Sequence, residues 1–163
     1  MASPEIESFR IRFAYEFDRL IETIAGLDDE AVNWKPPVPG GNSLLVLVTH
    51  ALASAEEHVV GKAAGKIVVR NRDAEFVVTG GAGHLAARAA EVRRRIDDAL
   101  AAIEGRLDEE RDPPMATWPN PRGTARDRLI HSVSHTAEHV GHAQMTRDLY
   151  VARREAHESQ GRG

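Results

Sequence analysis

The stretch LIHSVSHTAEHVGHAQM, Leu129 to Met145, decides how this chain folds and what it carries. Its histidines fall at His131, His135, His139 and His142. Leu129, Val133 and Val140 run beside them at helical spacing, so the segment reads as an amphipathic helix rather than a strand. Residues four apart sit one above the other on a helix, about 40° apart around the axis. His135 and His139 therefore stand together at the edge of the packed face. Two imidazoles so placed can grip one metal ion, and a third from a facing helix would complete a site with an open position.

The third imidazole is found upstream, in GNSLLVLVTHALASAEEHVV, Gly41 to Val60. Asn42 or Ser43 caps this second helix, which is apolar on most sides in its first turns and so belongs deep in the fold, ending near Gly61. His50 lies on the edge opposite Leu52 and Val59. Glu57 follows seven residues later, almost directly above His50 after two turns. These are positions from which two helices can point groups into one cleft.

Two further helices complete the set. The first has Ser3 as N-cap, Pro4 at its first position and Glu5 and Glu7 in its first turn. Its apolar stripe is Ile6, Phe13, Phe17, Leu20, Ile24 and Leu27, and Gly26 with NWKPPVPGGNS ends it. Leu85, Ala89, Val92, Ile96, Ala99 and Ile103 mark the third, with arginines and acids opposite. EGRLDEERDPPMATWPNPRG breaks it, and Thr124 with Asp127 forms a capping box opening the fourth helix, which continues to about Arg153. Between Ala63 and Gly83, IVVR and EFVV allow a short β-hairpin, or equally an irregular excursion. The expected architecture is all-α, a four-helix bundle with long connecting loops. Residues 1–155 form one metal-binding domain, followed by a frayed tail over 156–163.

Composition narrows the function. The chain has 163 residues, 42% hydrophobic and 28% charged, ordinary for a globular fold. A net charge of −4 with no isolated basic face argues against nucleic acid. Arg93 to Arg95 sit beside Asp97 and Asp98 and read as a solvated flank. No cysteine is present, so any thiol chemistry needs a thiol brought in as cosubstrate. The acidic start MASPEIES is not a secretion signal, and no apolar run approaches membrane-spanning length, which makes the cytoplasm the expected compartment.

Three neutral imidazoles leave room for water on Zn²⁺, or for more ligands on Ni²⁺, Fe²⁺ or Mn²⁺. Such a metal lowers the pKa of a bound water or thiol. Glu57 is the expected outer acceptor, proton shuttle or occasional fourth ligand. His131 and His142 share the general face but lie too far along the axis for the same ion, and line the cleft instead. HTAEH matches the H-x-x-E-H form of one zinc protease class, yet Glu138 points about 100° away from His139 and the downstream ligand is missing. Trp34 and Trp118 wall the cleft or anchor loops. His58 and His84 read as solvent-side or cap residues. Arg70, Arg72 and Arg122 are candidates for an anionic substrate, with surface ion pairing the plain alternative.

The placement of these residues resembles the DinB-like (DinB/YfiT) superfamily of metalloenzymes. The likeness rests on GNSLLVLVTHALASAEEH, on LIHSVSHTAEHVGHAQ with its His-x-x-x-His-x-Gly run, and on Trp34 before a proline-rich loop and Trp118 ahead of the fourth helix. It implies that His50, His135 and His139 are the three metal ligands, and His142 stands where a glutamine usually follows the glycine. It further implies a four-helix bundle, Zn²⁺ or Ni²⁺ as the metal, and a homodimer. Relatives include thiol-dependent S-transferases and a mycothiol-dependent maleylpyruvate isomerase, in which the metal activates a low-molecular-weight thiol. The expected function is thus divalent-metal-dependent chemistry on a small electrophile, thiol-dependent and S-transferase-like or hydrolytic. The alternative is a non-catalytic metal or small-ligand binding protein.

Overall fold

The structure, a computed structural model, describes residues 2–111 and 123–160. Four long helices form the core: α1 (Pro4–Glu22), α3 (Leu44–Glu56), α5 (Leu85–Ala102) and α6 (Ala125–Gln160). Two short ones, α2 (Asp29–Asn33) and α4 (Arg72–Glu75), lie in the connections. Around the bundle the neighbours run α1, α5, α3, α6 and back to α1, with little contact across the α1–α3 diagonal. α3 and α6 are thus side by side, as a site shared between them requires.

The caps operate as expected. Ser3 Oγ accepts from the Ile6 amide and Ser43 Oγ from the Val46 amide, both at 3.3 Å. Thr124 and Asp127 exchange bonds: the Thr124 amide donates to Asp127 Oδ2 at 2.7 Å, and the Asp127 amide to Thr124 Oγ1 at 3.3 Å. The stripe of α1 through Ile24 and the whole expected stripe of α5 are buried.

Several expectations are corrected. The first helix stops earlier, because Asp28 accepts from the Ala31 amide at 2.9 Å and starts α2 anew. The helical run that begins with α3 ends at Ala63, close to the expected Gly61, but its last part widens into a π-helical segment, Glu57–Ala63, closed at Gly65 by a backbone φ of 69° that suits glycine. Leu44–Ala63 is consequently long and apolar enough to cross a membrane by composition, contrary to the reading of its sequence. It is 78% buried within the bundle, which identifies it as the core helix. No hairpin forms over 66–78; Asn71 caps α4 there instead, accepting from the Ala74 amide at 3.2 Å. α6 passes Arg153 and runs to Gln160 through the tail expected to fray, since no breaker intervenes and Arg154 pairs with Glu158 one turn on at 3.2 Å.

Nor is the arginine run wholly a solvated flank. Arg95 reaches from α5 to Glu56, as does Arg88, and so compensates a carboxylate buried at the α3–α5 seam. Trp34 packs against Tyr150 with centroids 5.7 Å apart, and Arg153 lies over its ring, so it is a loop anchor on α6. Trp118 and Arg122 lie outside the described residues.

Candidate metal centre

α3 and α6 bring His50, His135 and His139 together, with one candidate ligand nitrogen from each lying within 4.8 Å of the others. The two on α6 are tighter: His135 Nε2 and His139 Nε2 are 3.2 Å apart. On a tetrahedral ion with Zn–N bonds of about 2.05 Å, two ligand nitrogens stand about 3.3 Å apart. The α6 pair already meets that spacing, and His50 needs only a side-chain adjustment to join it. The donor set therefore fits a divalent cation.

The second side of His50 is occupied. Its Nδ1 lies 2.8 Å from Glu75 Oε2, where an Nδ1–H donates to the carboxylate and leaves the Nε2 lone pair for a metal. Glu75 is itself buried and accepts a two-pronged bond from Arg70, Nε to Oε1 at 2.6 Å and Nη2 to Oε2 at 2.8 Å. Burial pulls the Glu75 pKa up, but Arg70 and His50 outweigh it and hold the carboxyl below its ordinary range. Glu75 is therefore the outer acceptor on His50, one of the parts expected of Glu57. No periodicity marks the stretch between Ala63 and Gly83, and Glu75 stands there only as an acid at the head of the apolar run EFVV, two residues after Asp73.

Glu57 is found on the outer side of Arg70, bonded to its Nη1 and 3.4 Å from Lys62 Nζ. Burial raises its pKa, while Arg70 and Lys62 lower it further, so it stays ionised. The π-helical segment that carries it also carries His58. That ring is buried rather than solvent-side, with Nδ1 bonded to the Ser54 carbonyl at 2.8 Å. His58 stacks near His131 at 4.6 Å between centroids, and His131 lies 5.6 Å from His135. His142 is exposed, 5.7 Å from His139. Both therefore flank the triad, as their axial offset requires, and His84 is exposed at the start of α5.

Electrostatics suits metal binding. Burial, then the charges of neighbouring imidazoles, presses His135 down to about 3 and His139 to about 4. His50 is lowered by burial against the pull of Glu75. All three rings are neutral at pH 7, with lone pairs available and no proton to displace. His139 Nδ1 is buried without a hydrogen-bond partner among the described residues, so the ring lacks the acceptor that His50 has in Glu75.

The chain matches the family model described as mycothiol-S-transferase over residues 9–152, a family within the DinB/YfiT-like superfamily. No curated protein matches it. Among solved structures, a conserved protein from Enterococcus faecalis aligns with a TM-score of 0.72 at 18% identity, covering 93% of this chain and 99% of that one. At that identity the likeness bears on the fold alone.

Proposed function

We propose the function from one established premise: the chain belongs to the mycothiol-S-transferase family. Together with the histidine cluster this supports a metal-dependent, thiol-transferase-like enzyme. The observation that carries the reading is the convergence of three neutral imidazoles from two helices. We propose His50, His135 and His139 as the ligands, and zinc as the metal, because three nitrogen donors with an open position are a zinc set; nickel is the competitor. When bound, the metal would supply the charge that lowers the pKa of an incoming low-molecular-weight thiol.

The chain's own residues do the rest. Glu75 sets the tautomer and orientation of His50, and Arg70 keeps that carboxylate ionised inside the fold. Burial keeps the α6 rings neutral. Glu57, placed behind Arg70, is assigned a positioning part: with Lys62 it holds the guanidinium against Glu75. The proton transfer first expected of it fits poorly with a carboxylate whose proton affinity is lowered. The thiol gives its proton to solvent and its sulfur bonds to an electrophilic carbon, while the pair of the bond broken there departs with the leaving group or, at a multiple bond, moves to the neighbouring atom and takes up a proton.

The test is elemental analysis of full-length protein purified without a histidine tag, followed by a screen of small thiols against electrophiles. One equivalent of zinc or nickel and thiol-dependent turnover are expected. Metal without turnover for any pair would leave a binding protein, and metal-free protein that takes up none on dialysis would end the reading.

A further inference from the structure

Three cations stand around the histidine cluster, and two are already engaged. Arg70 is forked onto Glu75 and closed by Glu57, and Lys62 reaches Glu57. Arg72 differs: it is exposed and makes no ion pair among the described residues. It is nevertheless held in place. Its guanidinium lies over the Phe76 ring, 4.9 Å from the centroid, and that ring packs on His50 at 4.8 Å.

One short turn therefore delivers three groups to the same histidine. Glu75 binds its Nδ1, Phe76 covers its ring, and Arg72 is layered on Phe76. The charge of Arg72 is felt at His50, where it opposes protonation. Arg70 and Lys62 are answered by Glu75 and Glu57, whereas Arg72 is left without an ion pair among the described residues. A guanidinium steadied on an aromatic face keeps its N–H edge for a partner and loses little freedom on binding. The chemistry complementary to that edge is a carboxylate.

We propose that Arg72 anchors the carboxylate of a small organic acid handled at the histidine cluster, a substrate class that rests on the functional reading above. The acid group belongs either to the thiol or to the electrophile, and the arms of one experiment separate these.

Zinc-loaded full-length protein, as wild type, Arg72→Gln and Arg72→Lys, is titrated with succinate, 3-mercaptopropionate and 2-mercaptoethanol while the Phe76 ring signals are followed by NMR. Wild type should bind at least one acid about tenfold more tightly than the Gln variant, with Lys between them. The affinity for 2-mercaptoethanol should be equal in all three. An Arg72-dependent succinate response that persists under saturating 2-mercaptoethanol places the acid on the second substrate. Dependence seen for 3-mercaptopropionate alone places it on the thiol. Acid affinities untouched by Arg72→Gln overturn the anchor. Should 2-mercaptoethanol fail to perturb the site, the thiol reading falls by itself, because succinate still reports the anchor, for or against, without it.

Discussion

Glu75 is the residue on which the site's geometry turns. Its carboxylate makes the only oxygen contact to a triad imidazole among the described residues, and Arg70 answers its charge. Glu75→Ala should weaken zinc binding about 10- to 100-fold, with Glu75→Gln losing less because an acceptor oxygen is kept. Competition against a chromophoric chelator measures this, and unchanged affinity in both variants would remove Glu75 from the site. His135→Ala should abolish stoichiometric metal while leaving the far-ultraviolet circular dichroism of the helices in place; full metal content would reject its role. The buried rings also set a pH dependence. Burial above all holds His58 and His139 at about 4 and His135 at about 3, well below the ordinary value near 6.5. The unfolded chain thus binds protons that the fold refuses. Metal-free protein should be fully stable above about pH 6.5 and lose stability as pH falls through about 4. Urea midpoints taken from pH 8 to pH 4 test the sign, and a flat profile would contradict neutral buried imidazoles.

Among the elements, α6 carries two of the three imidazoles, and its first turn is secured by the Thr124–Asp127 exchange. Thr124→Ala should cost about 1 kcal/mol of stability, read as a lower urea midpoint, with metal affinity little altered because His135 lies three turns further on. The caps of α1, α3 and α6 and the apolar stripes of α1, α5 and α6 were legible, since each rests on side chains within a few residues of one another. The π-helical segment was not. His58 lies inside it, one turn after buried Ser54, although the ring read as a solvent-side or cap residue. α4 was equally hidden: a four-residue turn carries no periodicity, and its cap residue Asn71 looks like any loop asparagine.

At the scale of the molecule, the ligands come from α3 and α6, so a bound metal ties two walls of the bundle together. Zinc at 100 times its dissociation constant should add about 2.7 kcal/mol to stability, an increment lost in His50→Ala. Chemical denaturation with and without zinc measures it, and equal gains in both proteins would place the metal elsewhere. The sequence by itself determined the helices, their order and the histidine pair on α6, because these follow from spacings of three and four along one chain. It also singled out His50, since a histidine in so apolar a helix needs a polar neighbour. Only the tertiary structure decided which carboxylate supplies one. Glu57 shares a helix with His50, yet a connection 25 residues downstream folds back and seats Glu75 against the ring. Contacts of that kind depend on how a loop packs over the bundle, and no local pattern encodes them.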